Sequence, residues 1–136
     1  MPRVSIWVAA LWWGSLSTLG FLVVPLLFAH LPTPALAGFM AAKLFSAQTW
    51  VSVVCGMFLL MTTRSNHALA AGLIDSVAII LIIGGILMAL LVEFAVAPQI
   101  LMRENLKIWH SVGSGMYLLQ WLCALAIFWK LNRRDS

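Results

Sequence analysis

The sequence predicts an all-α integral membrane protein, a four-helix bundle that crosses the bilayer four times with both termini in the cytoplasm. Of 136 residues, 63% are hydrophobic and 9% are charged, whereas soluble domains carry roughly 25% charged residues. A spanning helix needs about 20 mostly apolar residues. Four such segments with short connections use nearly the whole chain, which predicts a single transmembrane domain over residues 1–136.

The first predicted span covers residues 4–29. Its apolar run is much longer than the 7–15 residues that are usual in a signal peptide, so we interpret it as a membrane helix. The second span, 35–61, follows a turn at Pro32 and Pro34, because each proline disfavours helix at the residue before it. A polar loop over residues 62–67 is expected to end the second span.

The third predicted span covers residues 73–97, and Pro98 should kink or end it. The fourth covers residues 108–131, with Trp109 and Trp129 near its two ends. Tryptophan is enriched where spans meet the membrane surface, so both side chains are interpreted as interfacial anchors.

The distribution of lysine and arginine predicts the orientation of the bundle. An even number of spans places both termini on one side, and the basic residues of that side are Arg3, Arg64, Lys130, Arg133 and Arg134. The other side holds Arg103 and Lys107, with Lys43 just inside the second span. The positive-inside rule therefore predicts cytoplasmic termini, and the lack of a presequence favours a cell inner membrane.

Several function classes are disfavoured by what the sequence lacks. The few basic residues sit at segment ends, whereas nucleic-acid binding needs a basic, solvated face. Cys55 and Cys123 lie within apolar stretches, where cysteine acts as a small hydrophobic residue. The sequence shows neither a nucleophile–base arrangement nor a phosphate-binding loop nor paired carboxylates, so we expect a protein that is not an enzyme.

A candidate polar pocket is indicated at the non-cytoplasmic end of the bundle. Polar and aromatic residues recur at spacings of 4, 3, 4, 3 and 4 from Arg103, which precedes the fourth span, into that span. If the helix is continuous there, this spacing places them on one helix face. Ionisable groups within spans usually face the bundle interior or reach the membrane surface. The candidate binding residues are Lys43, Glu93, Arg103, His110, Ser114 and Tyr117.

Two interpretations of this polar cluster stay open. In the structural one, Lys43 pairs with Glu93, and Arg103 contacts anionic lipid, since charge is normal near span ends. In the functional one, the residues form a pocket for a polar or anionic ligand. Both interpretations predict a cation beside Glu93, because an unpaired carboxylate in an apolar environment is costly.

Haem or copper binding is a less favoured alternative. His30 ends the first span and His110 begins the fourth, so both are weak candidates for metal ligands at the same end of the bundle. Two histidines could ligate haem axially, or copper with help from methionine. However, the chain has no C-x-x-C-H attachment motif. His30 beside a proline turn is most simply a solvated residue, and we expect no cofactor.

Two segments resemble a known family. They comprise Trp13-Gly14, Pro25, Leu27-Phe28, Leu31-Pro32, Ala37-Gly38 and Leu44-Phe45 near the start, and Pro98 with the segment from His110 to Ser114 later. Together they resemble the transmembrane-protein-205-like family, whose bacterial members are catalogued as domain of unknown function 4149. Tyr117 departs from the asparagine that the family often has there. The resemblance implies a four-span membrane protein without an agreed activity.

The expected function is that of a non-catalytic accessory or scaffold subunit of a membrane complex. Four spans enclose little volume for a transport path, and small residues along the helices allow close contact with other membrane helices. The expected partners are the lipid bilayer, other membrane subunits or further copies of the chain. The alternatives are a small-ligand-binding or transport-related protein, and a haem- or copper-binding protein.

Overall fold

A computed structural model shows an all-α protein. The structure describes residues 2–69, 73–96, 98 and 106–135, and the side chains within 3–63, 76–96, 98 and 107–133. The helices are α1 (Pro2–Thr18), a π-helical turn (Leu19–Val23), α2 (Val24–His30), α3 (Pro34–Leu69), α4 (Leu73–Leu91), a second π-helical turn (Val92–Val96) and α5 (Leu106–Asp135).

Four helical stretches are long and apolar enough to cross a membrane. They are span 1 (Arg3–His30), span 2 (Pro34–Thr63), span 3 (Ser76–Val96) and span 4 (Lys107–Arg133). Each coincides with one of the four predicted segments, with bounds that differ by a few residues. Span 3 is the most apolar, with a mean hydropathy of 2.8 over its best window.

The predicted polar loop over residues 62–67 is wrong, because α3 continues as a helix to Leu69. Threonine, arginine, serine and asparagine lower helix propensity only slightly, whereas proline and glycine are the strong breakers. The next glycine is Gly72, after the last residue of α3. The polar residues therefore mark a change in hydropathy along a continuous helix, and they do not end it.

The start of α3 is fixed by a capping arrangement. Thr33 Oγ1 accepts a hydrogen bond of 3.1 Å from the backbone N–H of Leu36, and Pro34 occupies the first helical position. A threonine cap satisfies one free N–H of the first turn, and proline there loses no helical hydrogen bond. The predicted turn between spans 1 and 2 is confirmed, since α2 ends at His30.

The four spans lie at the corners of a square. Span 1 lies against spans 2 and 4, and span 3 also lies against spans 2 and 4. Short connections between successive helices place neighbours antiparallel, so spans 1 and 3 run in the same direction.

The core is centred on Trp12, which is fully buried. Its ring reaches across the square to Gly85 of span 3, where a Cβ atom would lie 2.7 Å from Trp12 Cη2. Gly56 of span 2 is similarly close, since its Cβ would meet the side chain of Ile86. The remaining buried core residues are Ala9, Leu16, Cys55, Leu59, Ile82, Ala124 and Ile127. Glycine is needed at positions 56 and 85 because the large core side chains fill the space.

The outer faces of the bundle are strongly apolar. Trp7 is 75% exposed, and large side chains such as Phe21, Trp50, Ile80 and Phe94 are also exposed. Monomeric soluble proteins rarely present so continuous an apolar surface. The exposed faces therefore suit the hydrocarbon region of a bilayer.

Each of spans 1 and 3 is interrupted by a π-helical turn that is followed by a proline. Pro25 comes two residues after Val23, and Pro98 comes two residues after Val96. Both segments share the pattern Phe-x-Val-x-Pro, at residues 21–25 and 94–98. Proline clashes with the carbonyl four residues before it, and the wider π turn relieves that clash. The predicted first span is continuous, so its interruption is a feature that the hydropathy pattern did not indicate.

Candidate functional site

A layer of polar side chains crosses the middle of the bundle. Ser52 Oγ donates a hydrogen bond of 2.7 Å to Gln120 Oε1, and Trp12 Nε1 lies 3.4 Å from the same oxygen. Gln48 Nε2 donates to Ser15 Oγ at 3.0 Å and lies 3.4 Å from Ser52 Oγ. These five residues connect spans 1, 2 and 4, and we call them the central polar layer.

The central polar layer is buried, with Ser52 fully enclosed and Gln48 and Gln120 nearly so. A buried amide or hydroxyl is costly without a hydrogen-bond partner. Hydrogen bonds between membrane helices contribute on average about 0.6 kcal/mol each, and up to about 2. The layer therefore stabilises one relative rotation of the helices. The predicted polar pocket does not include the central polar layer, although the amides Gln48 and Gln120 in the middle of two spans are a sequence signal of such a layer.

The π turn of span 1 is enclosed by side chains of span 4. Tyr117 donates its hydroxyl hydrogen to the carbonyl of Leu16 at 2.5 Å, and Trp121 Nε1 donates to Ser17 Oγ at 2.8 Å. A Cβ atom on Gly20 would lie 2.7 Å from the Tyr117 ring. Glycine at the second position of this turn therefore leaves room for the aromatic side chain.

The π turn of span 3 has a carboxylate at the same position. Glu93 is half-buried, and its Oε1 accepts a hydrogen bond of 2.7 Å from Ser46 Oγ of span 2. Ser46 follows Phe45, whose ring packs edge-on against Tyr117 at 5.3 Å between centroids. The two π turns thus contact the bundle at a similar depth, one through an aromatic ring and the other through an acid.

The other predicted site residues lie apart from Glu93. Lys43 is exposed, and its Nζ lies 4.9 Å from the centroid of the Phe39 ring. His110 and Ser114 are exposed on α5, whereas Tyr117 turns inward to span 1. Arg103 lies outside the described residues. The structure therefore places Glu93 and Tyr117 inside the bundle and leaves Lys43, His110 and Ser114 on its outside, and the predicted pocket stays a prediction.

The two histidines proposed as metal ligands are both exposed. His30 Nδ1 lies 3.1 Å from the carbonyl oxygen of Leu26, one turn earlier in the same helix. Across the part of the chain that the structure describes, no group of three or more His, Cys, Asp or Glu side chains could hold a metal ion. The expectation that the protein binds no cofactor, with haem or copper binding as the less favoured alternative, also stays a prediction.

A shallow groove runs along the outer face of span 1. Its lining residues are Ala10, Leu11, Gly14, Ser15, Thr18, Leu19 and Val23. Small residues recur every fourth position at Ala10, Gly14 and Thr18, and a Cβ atom on Gly14 would meet nothing within 4 Å. This spacing resembles the small-xxx-small pattern that lets membrane helices approach closely.

Four helices that are long and apolar enough to cross a membrane, packed around a buried polar layer, suggest a multi-pass helical membrane protein. Within that class, the sequence profile described as "Domain of unknown function (DUF4149)" matches residues 7–107, and the chain belongs to this family. The matched region contains span 1 from Trp7 onward, spans 2 and 3, and both π turns. No curated protein and no solved structure matches the chain. The likeness to the wider transmembrane-protein-205-like group stays a prediction.

Proposed function

We propose that this protein is a non-catalytic accessory subunit that binds a helix of another membrane protein along the groove of span 1. In this proposal it resides in a cell inner membrane with both termini in the cytoplasm. The observation that carries the proposal is the open groove at Gly14, where the approach of a second backbone is unobstructed. Within hydrocarbon, close packing of helices is a main source of association free energy.

The filled interior supports a lateral partner over a transport path. Trp12, Leu16 and Leu59 are fully buried at the centre. The side chains of the central polar layer donate and accept among themselves, so they are not directed at an enclosed ligand. Both grooves that we identify lie on outer faces, one on span 1 and the other on span 4 near Trp129.

The proposal is tested by filling the groove. Gly14→Leu places a branched side chain where a partner helix would approach, and its Cβ would meet no described atom within 4 Å. We expect the tagged variant to fold and to lose a membrane protein that co-purifies with the wild type in mild detergent. The measurement is quantitative mass spectrometry of the complexes, with unfolding of the variant followed in parallel.

Gly115→Leu is the matched control, because Gly115 is exposed on span 4 and its Cβ would also meet nothing within 4 Å. This variant adds the same apolar side chain to another face and should keep the partner. A wild-type protein that purifies as a lone monomer or a simple homo-oligomer would contradict the accessory role. Equal loss of the partner in both variants would contradict the assignment to span 1.

A further inference from the structure

We propose that the π turn of span 3 binds a monovalent metal cation through Glu93 and the oxygen atoms around it. This site is separate from the groove of span 1 and does not depend on the accessory role. Three features support this site: a carboxylate inside a span, backbone carbonyls to which Pro98 cannot donate, and a hydroxyl already in place.

The carboxylate of Glu93 needs a positive partner. Acidic residues within spans are rare, and they pair with cations or mark ion pathways. The partner that the described side chains show is the hydroxyl of Ser46, which is neutral. The basic side chains described on the neighbouring helices near this end are Lys43, Lys107 and His110, and all three are exposed. The Lys43 ammonium group lies over the ring of Phe39 instead.

The backbone of the turn supplies further oxygens. Pro98 has no N–H, so it cannot donate to the carbonyl of Phe94, four residues earlier, or to that of Glu93, five residues earlier. In span 1, the Val24 N–H donates to the carbonyl of Leu19, five residues earlier, which is the hydrogen bond expected of a π turn. Backbone carbonyls at interruptions of membrane helices are known ligands of sodium ions.

The set of ligands suits a monovalent cation of the sodium type. Carboxylate, carbonyl and hydroxyl oxygens are hard ligands, and the Ser46 oxygen can donate to Glu93 while keeping lone pairs for a cation. Glu93 contributes one negative charge, which one monovalent cation neutralises. Calcium takes 6–8 oxygen ligands and commonly several carboxylates.

The π turn of span 1 serves as an internal comparison. Gly20 stands in the position of Glu93, and the Tyr117 ring fills the space beside it. The π turn of span 1 is therefore filled by an aromatic side chain, whereas the π turn of span 3 carries a carboxylate.

The test is thermal unfolding of the full chain in detergent, in sodium, potassium, lithium or choline chloride at constant ionic strength. We expect at least one metal cation to raise the Tm by about 5 °C over choline at saturation, because a ligand that binds the folded state stabilises it.

Glu93→Gln should abolish the shift in Tm. Ser46→Ala keeps the carboxylate and should raise the half-saturating concentration about tenfold, roughly 1.4 kcal/mol. Asp75→Asn removes the same charge near the start of α4, at the other end of the helix from Glu93, and should keep the shift.

The proposal is overturned if the wild type melts identically in all four salts, or if the shift persists in Glu93→Gln. Arg103 is the competing partner for Glu93. If Arg103 neutralises the carboxylate, the wild type will show no dependence on the cation and Arg103→Gln will create one, which also overturns the proposal. Equilibrium dialysis with radioactive sodium provides a second measurement for any variant that melts too early to compare.

Discussion

The π turns of spans 1 and 3 share a proline spacing and a Phe-x-Val-x-Pro pattern, but their surroundings differ. In span 1 the turn is closed by the Tyr117 ring against Gly20, with the tyrosine hydroxyl bound to the Leu16 carbonyl. In span 3 the second position is Glu93, and its contact is the small hydroxyl of Ser46. One turn is fixed by packing, whereas the other presents a charged group.

The two turns show that the same local interruption can be closed by packing or can present a charged group. A π turn leaves backbone groups that a regular helix would pair, and the neighbouring helix decides what happens to them. A rigid aromatic side chain excludes any ligand from the turn in span 1. A small hydroxyl beside a carboxylate leaves oxygen ligands available in span 3. Substitutions should therefore affect stability at the first turn and ligand response at the second.

The largest loss of stability is expected in the central polar layer, which provides a reference for both turns. Gln120→Leu removes the oxygen that accepts from Ser52 and lies beside Trp12 Nε1. Two buried donors lose their acceptor, and each such loss costs about 1–3 kcal/mol in soluble proteins. We expect the free energy of unfolding to fall by about 2–3 kcal/mol, measured by denaturant titration in mixed micelles. A loss below that of Tyr117→Phe would contradict the assigned network.

Gly20→Ala should give the next largest effect and tests the packing of the first turn. Its Cβ would lie 2.7 Å from Tyr117 Cε1, and overpacking typically costs about 1–3 kcal/mol. Alanine also gains about 1 kcal/mol of helix propensity over glycine. Gly14→Ala, whose Cβ meets nothing within 4 Å, isolates that gain. The titration should show Gly20→Ala less stable than wild type and Gly14→Ala at least as stable.

Tyr117→Phe separates packing from hydrogen bonding at this turn, because it keeps the ring and removes the hydroxyl. The lost contact is the hydrogen bond to the carbonyl of Leu16. Because the ring still fills the space beside Gly20, we expect a smaller loss of about 1 kcal/mol. If this variant were as unstable as Gly20→Ala, the hydrogen bond would dominate the turn and the packing argument would be wrong.

Ser46→Ala should have the smallest effect on stability, since it leaves the half-buried Glu93 in place. We expect a loss of about 0.6 kcal/mol or less, the average for a hydrogen bond between membrane helices. The same titration measures it, in choline chloride. A loss larger than that of Tyr117→Phe would show that the second turn is fixed structurally, as the first one is.

Hydropathy predicts the four spans because a membrane helix is a long apolar run, which the local amino-acid composition alone reveals. The hydrogen bonds that connect different helices in the central polar layer join residues 33 to 108 positions apart, so the layer depends on how the helices rotate against one another. Sequence spacing places His110, Ser114 and Tyr117 on one helix face, but it does not show which of these side chains contact the other spans. The polar composition after Thr63 predicts the end of the helix, whereas α3 continues to Leu69 because these residues lower helix propensity only slightly.

Hydrogen–deuterium exchange of the wild type in detergent tests whether the π turn of span 3 binds a cation while the π turn of span 1 is fixed by packing. The exchange of residues 19–23 and 92–96 is compared in sodium, potassium, lithium and choline chloride at equal ionic strength. We predict that at least one of the three metal cations slows exchange at residues 92–96 relative to choline and leaves residues 19–23 unchanged. Equal responses at both turns, or none at either, would contradict the claim.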